Sequence, residues 1–364
     1  MTVLLMTGIM VLLFVGQAFM PYLVKKTEAF GVYVPAQYGN ESILAKLKKR
    51  YAISVLFSGF LIAAAYAIWF GSQPSSEESA VLWGVALQFI IIILSMALYF
   101  INHLKVKKEK QQKGWTQGKT EKLVVDLQFR KDLEMVSGSA FLLPMLVTAG
   151  LIVYTLTVFD SLPEQIPVHF GPDGIADRFT GKTVFSSISL LLVLLVMQML
   201  FLFINSAMKT SGSKIRASQK KQSRNRELAS RKYGSWLLLV TTIAITLLFG
   251  SIQLSILYPE LGNSLLTMSL IVGVMILVLS GVAVYTFKTV KSGSGVEEEM
   301  EPDVLDADDD KYWKAGIFYV NKEDPSVMVE KRFGVGWTVN LGNPKSWVYI
   351  FLPIVLLAAI AFLI

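Results

Sequence analysis

The stretch VFSSISLLLVLLVMQMLFLFIN, residues 184–205, decides the fold, because its 22 residues include no Asp, Glu, Lys or Arg. A helix needs about 20 mainly apolar residues to cross the roughly 30 Å of hydrocarbon in a bilayer. The run is continuous rather than alternating, which favours a membrane-spanning helix over a strand of a transmembrane barrel. We therefore predict a transmembrane helix here.

Seven more segments share these properties. Hydrophobic residues make up 53% of the 364-residue chain and charged residues 17%, and the long apolar blocks exclude an ordinary soluble enzyme, a disordered chain and a disulfide scaffold. The chain has no cysteine, which excludes thiolate catalysis and cysteine-ligated metal sites. We expect an all-α polytopic membrane protein with about eight transmembrane helices. The further segments are Val3–Leu23, Tyr51–Phe70, Ala80–Ile101, Gly138–Phe159, Ser235–Leu257, Leu265–Phe287 and Trp347–Ile364.

The basic residues predict the orientation of the chain. If the first helix enters from outside, the cytoplasmic loops are 24–50, 102–137, 206–234 and 288–346, which hold 32 basic and 20 acidic residues, a net +12. The other side holds 2 basic and 7 acidic residues, a net −5. Lys and Arg accumulate on the cytoplasmic side of membrane proteins. We therefore expect a multi-pass protein of the cell membrane with its N-terminus and C-terminus outside, and an uncleaved first helix.

The most polar residues within the spans are four glutamines, Gln17, Gln88, Gln198 and Gln253. We interpret them as hydrogen-bonding residues between helices rather than as ligand contacts. The basic loops are interpreted as topology signals that are attracted to anionic lipid. No nucleic-acid-binding module accompanies them.

Composition divides the chain into six regions. Nine of the eighteen residues Gly293–Asp310 are acidic, and like charges together with Gly and Ser predict a flexible linker. Short β-prone runs at 318–320, 327–330 and 337–340 predict a small β-rich cytoplasmic appendage, which is too small to bury a core alone and should pack on the membrane region. The regions are 1–137 (three helices with basic loops), 138–206 (helix, outer loop, helix), 207–290 (basic loop and two helices), 291–311 (acidic linker), 312–346 (β-rich domain) and 347–364 (last helix).

The outer segment DSLPEQIPVHFGPDGIADRFTGK, residues 160–182, holds the candidate site. Pro163 and Pro167 stiffen it, and the run Gly171-Pro172-Asp173-Gly174 predicts a turn. Ionisable residues cluster in its second half: His169, Asp173, Asp177, Arg178 and Lys182.

Two interpretations of this cluster remain open. A histidine flanked by the carboxylates of Asp173 and Asp177 is suited to a metal or a proton-sensitive site. In the other interpretation the loop is structural or recognises a partner, and its carboxylates pair with Arg178 or Lys182. The sequence favours the second interpretation, because three such residues on one loop match no established metal signature.

The same outer segment resembles the signature of SdpI-like membrane proteins, in which Leu-Pro is followed by Pro-x-His-Phe, Gly, Asp-Arg and a later Lys. The matching positions are Pro163, Pro167, His169, Gly174, Asp177, Arg178 and Lys182. The resemblance covers mainly residues 140–205, and Ala176 stands where that signature has proline. It implies a role in immunity to, or signalling about, a secreted bacterial toxin.

The stretch from Tyr319 to Pro344 resembles an uncharacterised domain of Gram-positive bacterial membrane proteins. Its matching positions are Asp324, Pro325, Gly336, Trp337, Asn340, Gly342, Asn343 and Pro344. The run FGVYVP, residues 30–35, resembles the motif that follows the first helix in that group.

These features favour an integral membrane sensor or immunity-type protein. It would recognise an extracellular peptide toxin or envelope stress through residues 160–182, and would signal to or sequester a cytoplasmic partner. A transporter, or the membrane subunit of an ABC-type exporter with an ATPase partner, is the alternative, although ion pathways usually carry ionisable residues within the spans. A membrane-embedded enzyme using His169 and the nearby Asp residues is the least favoured. We expect no cofactor and no nucleic-acid partner, and the sequence does not indicate an oligomeric state.

The absence of cysteine makes the orientation directly testable. An Ala176→Cys variant should react with a membrane-impermeant maleimide in intact cells, because segment 160–182 is predicted to lie outside. A Lys322→Cys variant should react only after the membrane has been permeabilised. The reverse labelling pattern would contradict this orientation.

Overall fold

The computed structural model describes residues 2–72, 76–116, 120–122, 126, 128–171, 175–213, 215–262, 264–293, 304–306 and 308–363. Within these ranges eight helices are long and apolar enough to cross a membrane, which confirms the predicted polytopic, mainly helical fold. They are α1 (Thr2–Leu23), α2 (Ser42–Ser72), α3 (Glu77–Gln112), α4 (Leu142–Thr157), α5 (Val184–Thr210), α6 (Lys220–Leu257), α7 (Ser264–Ser292) and α8 (Pro344–Leu363).

Three of these helices continue well beyond the predicted apolar spans. α2 begins at Ser42, α3 ends at Gln112 and α6 begins at Lys220. The added turns are rich in Lys, Arg, Glu and Gln, which are good helix formers. Apolar length therefore predicts the part of each helix that the hydrocarbon requires, and underestimates the part that projects into water.

The helices pack as two groups. α1, α2 and α3 contact one another around a core that includes Met10, Phe14 and Tyr51. α4, α5 and α6 form the second group, to which α7 is added against α6 and α8 against α5.

Two of the four glutamines connect helices of the second group. The Gln198 amide donates to the Thr148 and Thr246 hydroxyls, each at 2.8 Å. The Gln253 amide donates to the Ser187 carbonyl at 2.9 Å and to the Thr155 hydroxyl at 3.2 Å. The predicted helix–helix role is confirmed for both, and buried amides of this kind stabilise contacts between membrane helices.

Ten short strands lie between or after the helices. They are β1 (Glu28–Ala29), β2 (Val32–Tyr33), β3 (Thr120–Lys122), β4 (Gln165–Phe170), β5 (Ala176–Gly181), β6 (Val304–Asp306), β7 (Trp313–Lys314), β8 (Phe318–Tyr319), β9 (Met328–Glu330) and β10 (Trp337–Val339). β1–β2, β4–β5, β7–β8 and β9–β10 are antiparallel pairs, whereas β3 and β6 are parallel. β8, β9 and β10 fall on the three predicted β-prone runs, which confirms small β-hairpins in this region. We call residues 312–346 the β-hairpin unit, to distinguish it from the β4–β5 hairpin.

The strands mark the two ends of the helix bundle. We call the end that holds β1–β3 and β6–β10 the basic end, and the opposite end, where β4 and β5 join α4 to α5, the hairpin end. The β-hairpin unit packs on the helices as predicted. The rings of Tyr99 in α3 and Phe333 have centroids 4.2 Å apart.

Two tight turns pack back to back at the basic end. Phe30 and Gly31 have φ of 48° and 75°, and Ala315 and Gly316 have φ of 52° and 70°. A Cβ added to Gly31 would lie 2.3 Å from the Gly316 carbonyl oxygen, so this contact requires glycine as well as the left-handed backbone. His103, which stands at the end of an apolar span, has Nδ1 2.8 Å from the Phe30 carbonyl oxygen.

Buried ion pairs join the two helix groups at the basic end. Arg216 contacts Glu28 at 2.5 Å, and the Arg226 guanidinium donates to the Leu23 carbonyl at 2.8 Å. Lys25 pairs with Glu330 at 2.6 Å. These contacts belong to a set that we call the ionic cluster: Lys25, Glu28, Lys110, Arg216, Arg226, Glu227, Arg231, Asp306, Asp308, Asp309, Asp310, Glu330 and Arg332.

The ionic cluster also holds the carboxyl end of the predicted linker. Asp308 and Asp310 pair with Lys110 at 2.6 and 2.7 Å. Asp306 accepts from the Ser218 amide at 2.9 Å and is only 3% exposed. The described part of this segment, 304–306 and 308–310, is therefore anchored, in contrast to the flexible segment expected from composition. Residues 294–303 and 307 lie outside the described residues.

Arg332 connects three parts of the basic end, and its replacement should be costly. Its guanidinium is 3% exposed, contacts both Asp309 and Asp310, and donates to the Gly31 carbonyl at 2.9 Å. We expect Arg332→Met to lower the free energy of unfolding by about 1–3 kcal/mol, because the buried Gly31 carbonyl loses its donor, Asp309 loses its ion-pair partner and Asp310 keeps only Lys110. Thermal unfolding of the detergent-solubilised chain measures this loss.

The matched control is Lys322→Met, which removes an exposed cation from the same β-hairpin unit. It should change the free energy of unfolding by no more than about 0.5 kcal/mol. Equal effects of the two variants would show that the ionic cluster does not stabilise the fold.

Candidate functional site

Residues 160–182, which are predicted to lie outside, fold into a β-hairpin rather than an irregular loop. β4 and β5 pair antiparallel from Gln165 opposite Gly181 to Phe170 opposite Ala176. The register shifts on either side of His169, next to Pro167, which lacks the backbone N–H that a regular ladder needs. The Gly171 amide donates to the Ile175 carbonyl at 2.8 Å and closes the far end.

The base of the hairpin is anchored to the helix ends. Ile166 is 1% exposed and packs with Leu162, Ile256 and Leu257. Burying such a side chain contributes about 1.5–3 kcal/mol. Leu162 and Ile166 come from the α4–α5 connection, and Ile256 and Leu257 come from α6, so the hairpin rests on helices of the second group.

Lys182 ties the two arms of this connection together. Its ammonium donates to the Leu162 carbonyl at 3.0 Å, to the Asp160 carbonyl at 3.3 Å and to the Glu164 carboxylate at 3.1 Å. Lys182 therefore has a structural role, but its carboxylate partner is Glu164 rather than the predicted Asp177, which contacts His169 instead. Thr183 then caps α5 through a reciprocal pair of hydrogen bonds with Ser186.

The outer half of the hairpin is exposed and chemically mixed. His169 Nδ1 lies 2.5 Å from the Asp177 carboxylate, and both side chains are more than half exposed. Arg178 stands opposite His169 in the ladder. Phe179 and Ile175 are 51% and 60% exposed. An exposed apolar pair beside fixed charges is typical of a recognition surface.

The structure brings together two of the three residues considered for metal binding. His169 and Asp177 are in contact, whereas Asp173 and Gly174 lie outside the described residues. Among the residues that the structure describes, no group of three or more His, Cys, Asp or Glu side chains is placed to hold a metal ion. Pro163 is exposed and lies just before β4, where it bends the chain into the hairpin.

Most motif residues of the β-hairpin unit have structural roles. Asn340 is fully buried, and its side chain donates to the carbonyls of Asn321, Asp324 and Ser326 and accepts from the amides of Asn321 and Gly342. This one side chain therefore fixes three chain segments. A Cβ on Gly342 would lie 2.6 Å from the Asn321 backbone, so glycine is required there.

The remaining motif residues serve the same architecture. Asn343 donates to the Pro325 carbonyl at 2.8 Å and accepts from the Lys345 amide at 3.0 Å, which caps α8. Pro344 is the first residue of that helix, a position that suits proline. Asp324 accepts from the Tyr319 hydroxyl, Gly336 has φ of 121°, and the ring of Trp337 lies 5.0 Å from the Arg231 guanidinium carbon.

The ionic cluster is not apparent from the sequence. Its basic members were interpreted as topology signals and its acidic members as part of a linker. One sequence signal was present, because Glu227 and Arg231 are four residues apart on a helix and so lie on one face. They pair at 2.7 Å and are 3% and 1% exposed.

Electrostatics favour the charged forms of two carboxyls at the basic end, Asp310 and Glu330. Burial alone would raise the pKa of Asp310, but Arg332 and Lys110 outweigh it and hold the pKa below the ordinary value of 3.8. Burial would likewise raise the pKa of Glu330, but Lys25 and Arg226 outweigh it and hold the pKa below the ordinary value of 4.5. Desolvation would also lower the pKa of Arg216, yet Glu28 and Asp306 raise it above its ordinary value.

Two family models match parts of the chain. Residues 146–196 match a domain of unknown function, DUF1648, which here comprises most of α4, the β4–β5 hairpin and the first half of α5. Residues 322–347 match a family of unknown function, DUF5808, which here runs from the segment before β9 to the first turn of α8. Both are typical of bacterial membrane proteins. No curated protein and no solved structure matches the chain.

The lowered pKa of Asp310 predicts a pH dependence. A carboxyl with a lower pKa in the folded state contributes stability above its ordinary pKa, and that stability is lost as the pH falls through the folded value. The wild-type chain should therefore unfold at a higher temperature than Asp310→Asn at neutral pH. This difference should shrink below about pH 4, as the wild-type carboxyl becomes protonated. A difference in unfolding temperature that stays constant from pH 7 to pH 3 would contradict the pairing.

Proposed function

We propose that this chain is a multi-pass sensor or immunity-type protein of the cell membrane. In this proposal the β4–β5 hairpin recognises an extracellular peptide toxin or a product of envelope stress. The basic end signals to, or sequesters, a cytoplasmic partner. The observation that carries the proposal is the combination of an anchored hairpin base with an exposed face that holds Phe179, Ile175 and the His169–Asp177 pair.

An anchored hairpin is well suited to binding an external ligand. The buried Ile166 and the three hydrogen bonds of Lys182 fix its base before any ligand arrives. A preorganised surface loses less conformational entropy when it binds. Its apolar and charged groups would suit an amphipathic peptide. The apolar side of the peptide would cover Phe179 and Ile175, and the charged groups would select the partner.

One helix connects the two ends of the molecule. α6 is 38 residues long, about 57 Å at 1.5 Å per residue. Ile256 and Leu257 contact the hairpin base, and Arg226, Glu227 and Arg231 belong to the ionic cluster. A rigid element in contact with both sites supplies the physical continuity that coupling through packed elements requires.

The resemblance to SdpI-like proteins supports the same proposal. The residues that carry it, Pro167, His169, Asp177 and Arg178, lie together on paired strands. It is the source of the toxin-immunity part of the proposal.

The test replaces His169 on the exposed face. Cells that lack the gene would be complemented with the wild-type chain or with His169→Ala, and challenged with a panel of cationic amphipathic peptides, secreted bacteriocins and envelope-directed antibiotics. We expect deletion to change sensitivity to at least one agent. His169→Ala should reduce the protection, or the induction of adjacent genes, by about fivefold or more at unchanged membrane level, as loss of an interface contact worth more than about 1 kcal/mol would.

Gln165→Ala is the control, because Gln165 is also exposed on β4 but lies at the anchored base. It should behave as wild type. Unchanged sensitivity and gene expression in the deletion strain across the panel would refute the proposal. A fall in protein level that matches the loss of response would assign His169 a structural role instead.

A further inference from the structure

A pocket of about 280 Å³ lies between α5 and α8, and none of its lining residues belongs to the hairpin or to the ionic cluster. Phe203 of α5 lines it together with Lys345, Val348, Tyr349, Leu352 and Pro353 of α8. The rings of Phe203 and Tyr349 meet edge to face, with centroids 5.6 Å apart. Apart from Lys345 the lining is apolar or aromatic.

The pocket lies at the outer edge of the helix bundle. α8 packs mainly against α5 and lies at the edge of the helix bundle. Val348 and Leu352, which line the pocket, are 59% and 43% exposed. A volume of this size does not seat a second helix, whose diameter with side chains is about 10–12 Å. It suits a narrower apolar chain.

The polar end of the pocket is cationic. Lys345 is exposed in the first turn of α8 and forms no ion pair with any residue that the structure describes. Lys209, in the last turn of α5, does not line the pocket but is likewise exposed and unpaired within the described ranges. Asp324, the carboxylate on the segment packed against Asn343, is already engaged by the Tyr319 hydroxyl and the Ser326 amide.

The ends of α5 and α8 that carry these lysines are close together. Ser211, which follows α5, donates to the Met328 carbonyl at 2.6 Å, and Ser346 of α8 donates to the adjacent Val327 carbonyl at 3.2 Å. Trp347 is 44% exposed and stacks on Phe351. Exposed tryptophan marks the headgroup level of a membrane, so Lys345 lies at the depth of lipid phosphates.

We propose that this pocket binds an anionic glycerophospholipid. One acyl chain occupies the space between Phe203, Val348 and Leu352, and the phosphate pairs with Lys345, with Lys209 adding a second positive charge. Lysine near an anionic headgroup contributes favourable electrostatic energy, and the apolar lining supplies the hydrophobic contact that general surface attraction lacks.

Native mass spectrometry of the full chain tests this site with defined lipids. The chain would be exchanged into detergent with phosphatidylglycerol or with phosphatidylcholine of the same acyl chains. We expect one phosphatidylglycerol to remain bound at detergent concentrations that remove phosphatidylcholine. Lys345→Gln should weaken phosphatidylglycerol retention by about fivefold, the effect expected for one lysine at a headgroup. Leu352→Trp, which fills the pocket, should abolish it.

Lys105→Gln is the matched control, since Lys105 is an exposed lysine of α3, a helix of the other group. It should retain phosphatidylglycerol as wild type does. Equal retention of the two lipids by the wild-type chain would overturn the proposal. Equal losses in Lys345→Gln and Lys105→Gln would show surface attraction alone, and unchanged retention in Leu352→Trp would show that the pocket is not the site.

Discussion

Buried arginine contacts at the basic end hold the two helix groups together. Lipid chains are as apolar as the helix surfaces, so the hydrophobic effect does little to drive one group of membrane helices against the other. Arg216 and Arg226 reach from the second group to Glu28 and to the Leu23 carbonyl of the first. Arg332 adds the Gly31 carbonyl and two carboxylates. The arrangement of the two groups therefore depends on charge pairing in the part of the molecule outside the hydrocarbon.

Such pairing is sustainable because the ionic cluster is nearly neutral. Its six cations face seven carboxylates, and several of these side chains are less than 10% exposed. Isolated buried charges would cost several kcal/mol each. Guanidinium groups suit this setting, since their planar donors serve two acceptors at once. Arg231 shows this, donating to the Met208 and Ser211 carbonyls while it pairs with Glu227.

The spans could be predicted from sequence because hydrocarbon imposes a local rule on every residue within it. The hairpin could be predicted only in part, because a turn signal at 171–174 follows the run QIPVHF, whereas the second strand, ADRFTG, contains Ala, Asp and Gly, which are uncommon in strands. The ionic cluster could not. Its pairs join residues that are 188 apart for Arg216 and Glu28, and 198 apart for Lys110 and Asp308. Composition gives the same basic loops and acidic segment whether the charges lie in water or pair with one another.

The strand β9 and the residue before it are contacted by three helices of the second group or by residues next to them. Ser211 after α5 contacts Met328, Arg226 of α6 lies beside Glu330, and Ser346 of α8 contacts Val327 next to the strand. α5 leaves the hairpin directly, and α6 supports its base through Ile256 and Leu257. Packed interfaces tend to have discrete rather than continuous arrangements. Any shift of α5 against α6 that began at the hairpin would therefore have to be accommodated at β9, where it would also alter the partners of Lys25 and Arg226 in the ionic cluster.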